Sequence, residues 1–167
     1  RARSTRGDVI FFVLPIRGRH PQCVFGYMKI DQIVSHAEAF RDPALRSKRM
    51  GNNVPNGNII VNGRGQYNRF DAWAHFHKWQ KISRHYAIGD VRSSRMLSAA
   101  EIRKKAPDFL PTLRRILNKT GARAIDIISR SGAKLDARQV HQLLAWIDLP
   151  RADRPMNGAL PSCDCRL

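Results

Sequence analysis

Residues able to hold a nucleobase crowd into one short stretch. Tyr67, Phe70, Trp73, Phe76 and Trp79 fall within thirteen positions, interleaved with Gln66, Asn68, Arg69, His75 and His77. A site for an unstacked base needs an aromatic surface and amides matched to its hydrogen-bonding edge, and both kinds of group are here. This pattern assigns a base pocket to Gln66, Tyr67, Asn68, Phe70, Trp73, His75 and His77. Phe76 and Trp79 are expected to serve the core. Read as a strand, the segment would point His75 and His77 to one face. A second group of residues suits phosphates: Arg17 and Arg19 in one polar loop, Arg46, Lys48 and Arg49 in a basic cluster, and Arg64 and Arg69 beside the aromatics.

Other chemistries find less support. There is no Gly-rich phosphate loop with its Lys and Ser/Thr, no Rossmann fingerprint and no Gly-x-Ser-x-Gly elbow. Gly63-Arg64-Gly65 reads as a turn. Cys163 and Cys165 are one residue apart, which does not match the usual spacing of zinc ligands, so neither a metal nor another cofactor is expected. Cys23 lies in an apolar strand and reads as a small buried hydrophobe. Asp8 sits at a strand entrance, where it caps a turn. No catalytic residue can be named, and an enzyme using His75, His77 or Asp71 stays open as the alternative to a binding protein.

The chain of 167 residues carries 30 Lys plus Arg against 13 Asp plus Glu, a net charge of +17, and its first 97 residues hold +11 of that excess. A polyanion is the partner such a surface attracts, through counterion release. With 43% hydrophobic residues the chain can still build a core. Its longest apolar run, Val9 to Leu14, is far short of a membrane span, so no membrane partner is expected. Three cysteines without framework spacing favour a reducing, cytoplasmic setting. The chain starts at Arg1, which reads as a processed start or a fragment.

These residues need a scaffold, and the pattern predicts an α+β chain. Gly7-Asp8 turns into a strand from Val9 to Leu14, and Cys23 to Val34 holds a second strand antiparallel to it. Residues 35 to 47 read as a short helix or connector, Ile59-Ile60-Val61 as a short strand, and Trp79 to Tyr86 as another. Ser98 and Glu101 have capping-box spacing for a helix Ala99 to Lys105 that Pro107 interrupts. A second helix starts near Pro111 and Gly121 ends it. A last helix follows Leu135-Asp136-Ala137 and buries Val140, Leu143, Leu144 and Ile147. The expected organisation is a β-rich body over 1 to 97, a helical region packed on it over 98 to 149, and an extended tail over 150 to 167.

The order of motifs resembles the nucleotide-modification-associated domains of phages and bacteria. The similarity is carried by Gly7-Asp8-Val9-Ile10, by the strand Val24 to Ile33, by Phe40-Arg41-Asp42-Pro43 and Lys48-Arg49, by Asn58-Ile59-Ile60, by Gln66-Tyr67-Asn68, and by Ile82-Ser83-Arg84-His85-Tyr86 followed by Gly89. It covers about residues 3 to 117. Tyr67 stands where the family has His, and Ala44-Leu45 where it has Arg-Phe. The opening strands are also similar to PUA-like, ASCH and EVE-type domains. The resemblance implies a curved or barrel-like antiparallel β body with C-terminal helices, possessing an N-terminal strand that would precede Arg1. It implies binding of DNA or RNA with a modified or flipped base. The alternatives are a nucleotide- or base-modifying enzyme and a basic structural subunit of a nucleoprotein assembly, whose protein partner would meet the C-terminal helices or tail.

Overall fold

The computed structural model describes residues 4–14, 22–51, 57–71, 73–129 and 132–148, with the backbone alone at 73 and 74. The chain is α+β, and its described residues divide into two compact units between Ile102 and Arg103.

The first unit is organised by one long strand. At its start the Asp8 carboxylate accepts the Thr5 N–H at 2.8 Å, and Gly7 adopts a left-handed φ of 90° that an L side chain would strain. The chain then enters β1 (Val9–Val13), which lies antiparallel to β2 (Val24–Val34) in the register Val9↔Lys29 to Phe12↔Gly26, with an irregularity before Val13. The far half of β2 pairs with β3 (Tyr86–Gly89), and Gly26 and Tyr27 near its start pair with β4 (Arg95–Met96). All pairings are antiparallel. Gly26 permits the β4 approach, because a Cβ there would stand 2.6 Å from the Arg95 carbonyl oxygen. With four strands, one only two residues long, the sheet stays open, so the expected closure into a barrel does not occur among the described residues.

The residues between β2 and β3 form a buried cluster of this unit. Ser35 caps α1 (His36–Arg41) with a full capping box, its hydroxyl accepting from Glu38 N and the Glu38 carboxylate accepting from Ser35 N. Asp42 then caps a 3₁₀ helix over Pro43–Lys48 through the Ala44 N–H. Ile59, Ile60 and Val61 are all buried, and they pack with Ala39 and Tyr86 at the centre of the cluster. They make only isolated bridges, Arg49↔Ile59 and Val61↔Tyr67, in place of the expected strand. Three successive buried residues cannot alternate between two faces as a half-exposed strand does.

The segment expected as a strand from Trp79 is helical. A 3₁₀ helix over Trp73–Lys78 runs into α2 (Trp79–Ile82), and extended structure begins only at Tyr86. Trp79 and Ile82, three apart, share the helix face that packs on the Ile59 to Val61 cluster, while Gln80 and Lys81 are exposed. Tertiary burial at helical spacing here overrides the strand preference of the aromatic residues.

In the second unit, α3 (Ala99–Leu117) is one helix, whose first residues belong to the first unit. Its capping box forms as the spacing predicts, with Ser98 N donating to Glu101 Oε2 at 2.8 Å and Glu101 N to Ser98 Oγ at 3.3 Å. The helix continues through Pro107 and Pro111, contrary to the expected break. Both prolines are exposed, and the opposite face buries Ala106, Phe109, Leu113, Ile116 and Leu117. That burial outweighs about 3 kcal/mol for each interior proline. Asn118, in the left-handed region at φ 49°, ends the helix before Gly121 is reached. There follow α4 (Ala124–Ile128) and α5 (Ala137–Asp148), where Asp136 and Gln139 cap each other. α5 buries Leu143 and Ile147, with Val140 and Leu144 half-buried. Phe109 meets Trp146 at 6.1 Å between rings, and the buried Lys105 ammonium donates to the Trp146 carbonyl at 2.7 Å. Among the described residues no helix is long and apolar enough to cross a membrane. The expected tail, with Cys163 and Cys165, lies outside the described residues.

Candidate nucleic-acid interface and acid–base cluster

A tight turn sets the site. The Asn62 side-chain oxygen accepts from both Arg64 N and Gln66 N at 3.0 Å, Gly65 takes φ 75°, and Asn62 N donates to Gln66 O at 2.8 Å. The turn leaves Arg64 and Gln66 exposed and returns the chain so that Tyr67 bridges Val61.

Asn68 then ties the returning chain down. It is 7% exposed, its amide nitrogen donates to Met50 O at 2.9 Å, its amide oxygen accepts from Phe70 N at 3.1 Å, and its backbone N–H reaches Ile60 O. An amide spent on main-chain groups in the interior holds the loop, and it is poorly placed to read a base edge. Gln66 is the exposed amide of this stretch. Its Oε1 accepts from Asn62 Nδ2 at the long distance of 3.3 Å.

The loop delivers a carboxylate into the interior. The Asp71 side chain is 3% exposed, and it accepts the Tyr67 hydroxyl at 2.6 Å and His75 Nδ1 at 2.9 and 3.1 Å. Burial, followed by the hydrogen bond to Asp71 and its charge, pushes the Tyr67 phenol up to about 12. The Tyr67 ring packs edge-on against Phe76 at 5.6 Å and lies 6.0 Å from Trp79; Trp79 packs on the core cluster as expected, whereas Phe76 is 42% exposed and not the core residue expected. His75 itself is half exposed.

His75 and His77 do not share a face. In a 3₁₀ helix each residue turns about 120°, so positions two apart diverge. His75 turns to Asp71, whereas the exposed His77 ring meets Phe76 at 5.6 Å. Phe70 is 41% exposed, and the Arg69 guanidinium lies over its ring at 4.9 Å. The Trp73 side chain, Arg17 and Arg19 lie outside the described residues. Arg46, Lys48, Arg64 and Arg69 are exposed, with no ion pair among the described residues. Arg49 differs from them. Its guanidinium lies 4.7 Å over Phe40 and donates to Asp42 O, which makes it part of the α1 scaffold.

His36 joins the cluster from a position that the sequence reading did not single out. It is 4% exposed at the start of α1, accepts the Ile60 N–H at Nδ1 (3.1 Å), and meets Tyr86 edge-on. Burial lowers its pKa, the Asp71 charge opposes that shift, and His75 adds to it. Its ring therefore shares an electrostatic neighbourhood with Asp71 and His75. The sequence clue was Ser35 three residues before Glu38, which marks a helix start at His36 and leaves the direction of its ring to tertiary packing. Among the described residues no three His, Cys, Asp or Glu side chains gather as a metal site. No family model matches the chain, and no curated protein or solved structure matches it.

Proposed function

We propose that the first unit binds nucleic acid through the loop from Asn62 to Lys78. The observation that carries this reading is the exposed Phe70 ring with the Arg69 guanidinium over it, in a loop that also carries the exposed Arg64 and is tied through Asn68 to Met50 O, just after the exposed Arg46 and Lys48. An exposed ring offers stacking to any base, and arginine adds charge and a second planar surface. Gln66, Phe70, His75 and His77 are the base-side groups of this proposal, and Trp73 stays with them by sequence. Tyr67 and Asn68 support them from beneath. The four exposed cations meet phosphates.

The kinship with nucleotide-modification-associated and PUA-like domains is part of the same proposal, supported by the quoted motifs and by the antiparallel β1–β2 pair that follows Gly7-Asp8. The odd cysteine count supports a cytoplasmic setting. A protein partner would use the C-terminal helices or the tail.

The test is binding of single- and double-stranded DNA and RNA against salt. Replacing Arg46, Lys48, Arg64 and Arg69 together by Ala should flatten the logarithmic salt slope by about 0.7 to 0.9 for each phosphate that the protein no longer neutralises. Phe70→Ala should cost about 1 to 3 kcal/mol, the range for one stacked base. Gln66→Ala should narrow the difference between preferred and unpreferred bases at an unchanged slope. Binding that ignores all of these changes would leave a basic structural subunit as the better reading. A modifying enzyme gains support from one observation, the contact between Asp71 and His75, which sequence had left unconnected.

A further inference from the structure

We propose that His75 is a general base that cleaves RNA, with Asp71 as its positioning residue and the 2′-hydroxyl of the substrate as the nucleophile. The proposal rests on the nucleic-acid reading above.

An ionised carboxylate only accepts hydrogen bonds. Asp71 Oδ2 already accepts the hydrogen bond of the Tyr67 hydroxyl, and a carboxylate that accepts at 2.9 Å from the imidazole as well needs a hydrogen on His75 Nδ1. In the neutral imidazole this puts the lone pair on Nε2. The side chain is 47% exposed, and no described residue bonds Nε2. A buried carboxylate thus orients an imidazole whose basic nitrogen is open to a ligand, which is the arrangement proton abstraction needs. Holding the loop needs less. The Tyr67 hydroxyl already holds Asp71 in place.

The nucleophile follows from what His75 does not touch. No Ser, Thr or Cys among the described residues bonds it, and the Tyr67 hydroxyl, which shares the Asp71 carboxylate with it, is held protonated and aimed at Asp71. With no protein nucleophile bonded to it, the base has water or a substrate hydroxyl to act on, and the substrate hydroxyl is the one already held beside its phosphodiester. Of the polyanions drawn by a charge of +11 in the first 97 residues, RNA carries a hydroxyl next to every phosphodiester, and DNA does not. Arg64 and Arg69, exposed in the loop that leads to Asp71, are the cations available to a phosphate there.

The step balances without a co-reactant. The 2′-hydroxyl proton passes to His75 Nε2 while O2′ attacks phosphorus. The O2′–P bond forms as the P–O5′ bond breaks, and O5′ takes a proton from water. The imidazolium then returns its proton to solvent, leaving a 2′,3′-cyclic phosphate and a 5′-hydroxyl end.

The experiment incubates the full chain with a labelled single-stranded RNA, its 2′-O-methyl counterpart and the matching DNA. Binding is read by anisotropy and product ends by mass spectrometry in the same samples. The expected result is cyclic-phosphate ends from RNA alone. His75→Ala should slow cleavage at saturating RNA by about 100-fold or more, its affinity being read separately by anisotropy, and added imidazole should restore part of the rate. Asp71→Asn should lower kcat with KM little changed. Because Asp71 is buried and its variant can fail to fold, His75→Gln at the exposed position provides the independent variant. RNA that is bound but left intact, or cleaved equally by the His75 variants, overturns this inference and spares the binding reading. Failure to bind any of the three nucleic acids at low salt overturns both.

Discussion

Acidification should loosen the candidate site from α1 before it unfolds the rest of the first unit, and His36 is the reason. Its Nδ1 accepts the buried Ile60 N–H, so protonation of that nitrogen would set two donors against each other. Burial lowers the pKa of His36 from its ordinary 6.5. Below pH 6.5 the unfolded chain consequently binds more protons than the folded one, and the free energy of unfolding falls with pH. The loss begins near 6.5 and is complete once pH has passed below the folded value. Its slope is limited to about 1.4 kcal/mol per pH unit, the value for one proton. Glu38, Asp90, Glu101 and Asp126 have carboxyls held below their ordinary 4.5 or 3.8 by hydrogen bonds, so the stability they contribute is lost only in a more acidic range. The assay is amide exchange at Ile60 together with urea unfolding between pH 7.5 and 5.5. His36→Asn keeps an acceptor near the Nδ1 position and does not titrate, so its profile should be flatter over that window. Equal Ile60 protection at both ends of the range, or the same slope in His36→Asn, would refute the reasoning.

The packing carries further predictions. Phe109→Ala should cost about 3 to 5 kcal/mol and be felt in the second unit, because this ring is almost fully buried against Trp146; protection of α3 and α5 amides reads it. Gly26→Ala should destabilise by about 1 to 3 kcal/mol or more, since its Cβ would meet the Arg95 carbonyl oxygen and Met96 Sδ; weakened protection of the Leu97 amide, which bonds Phe25 O, would report the displaced strand, and an unchanged unfolding midpoint would contradict the prediction.

Much of the frame was readable from neighbouring residues. The Val9 to Leu14 run, the Gly7-Asp8 turn, the antiparallel pairing with Val24 to Val34 and the Ser98–Glu101 cap all depend on patterns within a few positions, and each is present. The basic excess was likewise plain from composition, as were the residue types in the stretch from Gln66 to Trp79.

What those residues do was decided by tertiary contact. Trp79 and Ile82 took helical spacing because a buried cluster from residues 39, 59 to 61 and 86 accepts them on one face. Pro107 and Pro111 stayed within one helix because the face opposite them buries a continuous row of side chains. Asn68 and Arg49 are polar types that fit a ligand in sequence, yet their partners are main-chain groups that only folding brings near. The acid–base cluster shows the same division. Asp71 and His75 stand four apart, but their pairing requires a 3₁₀ turn where the residue types suggested a strand, and His36 arrives through the contact with Ile60, 24 residues away. Capping and turn formation depend on groups a few bonds apart and leave a local record in sequence. Burial depends on which distant surfaces meet, and that selected the residues left facing solvent with chemistry to offer.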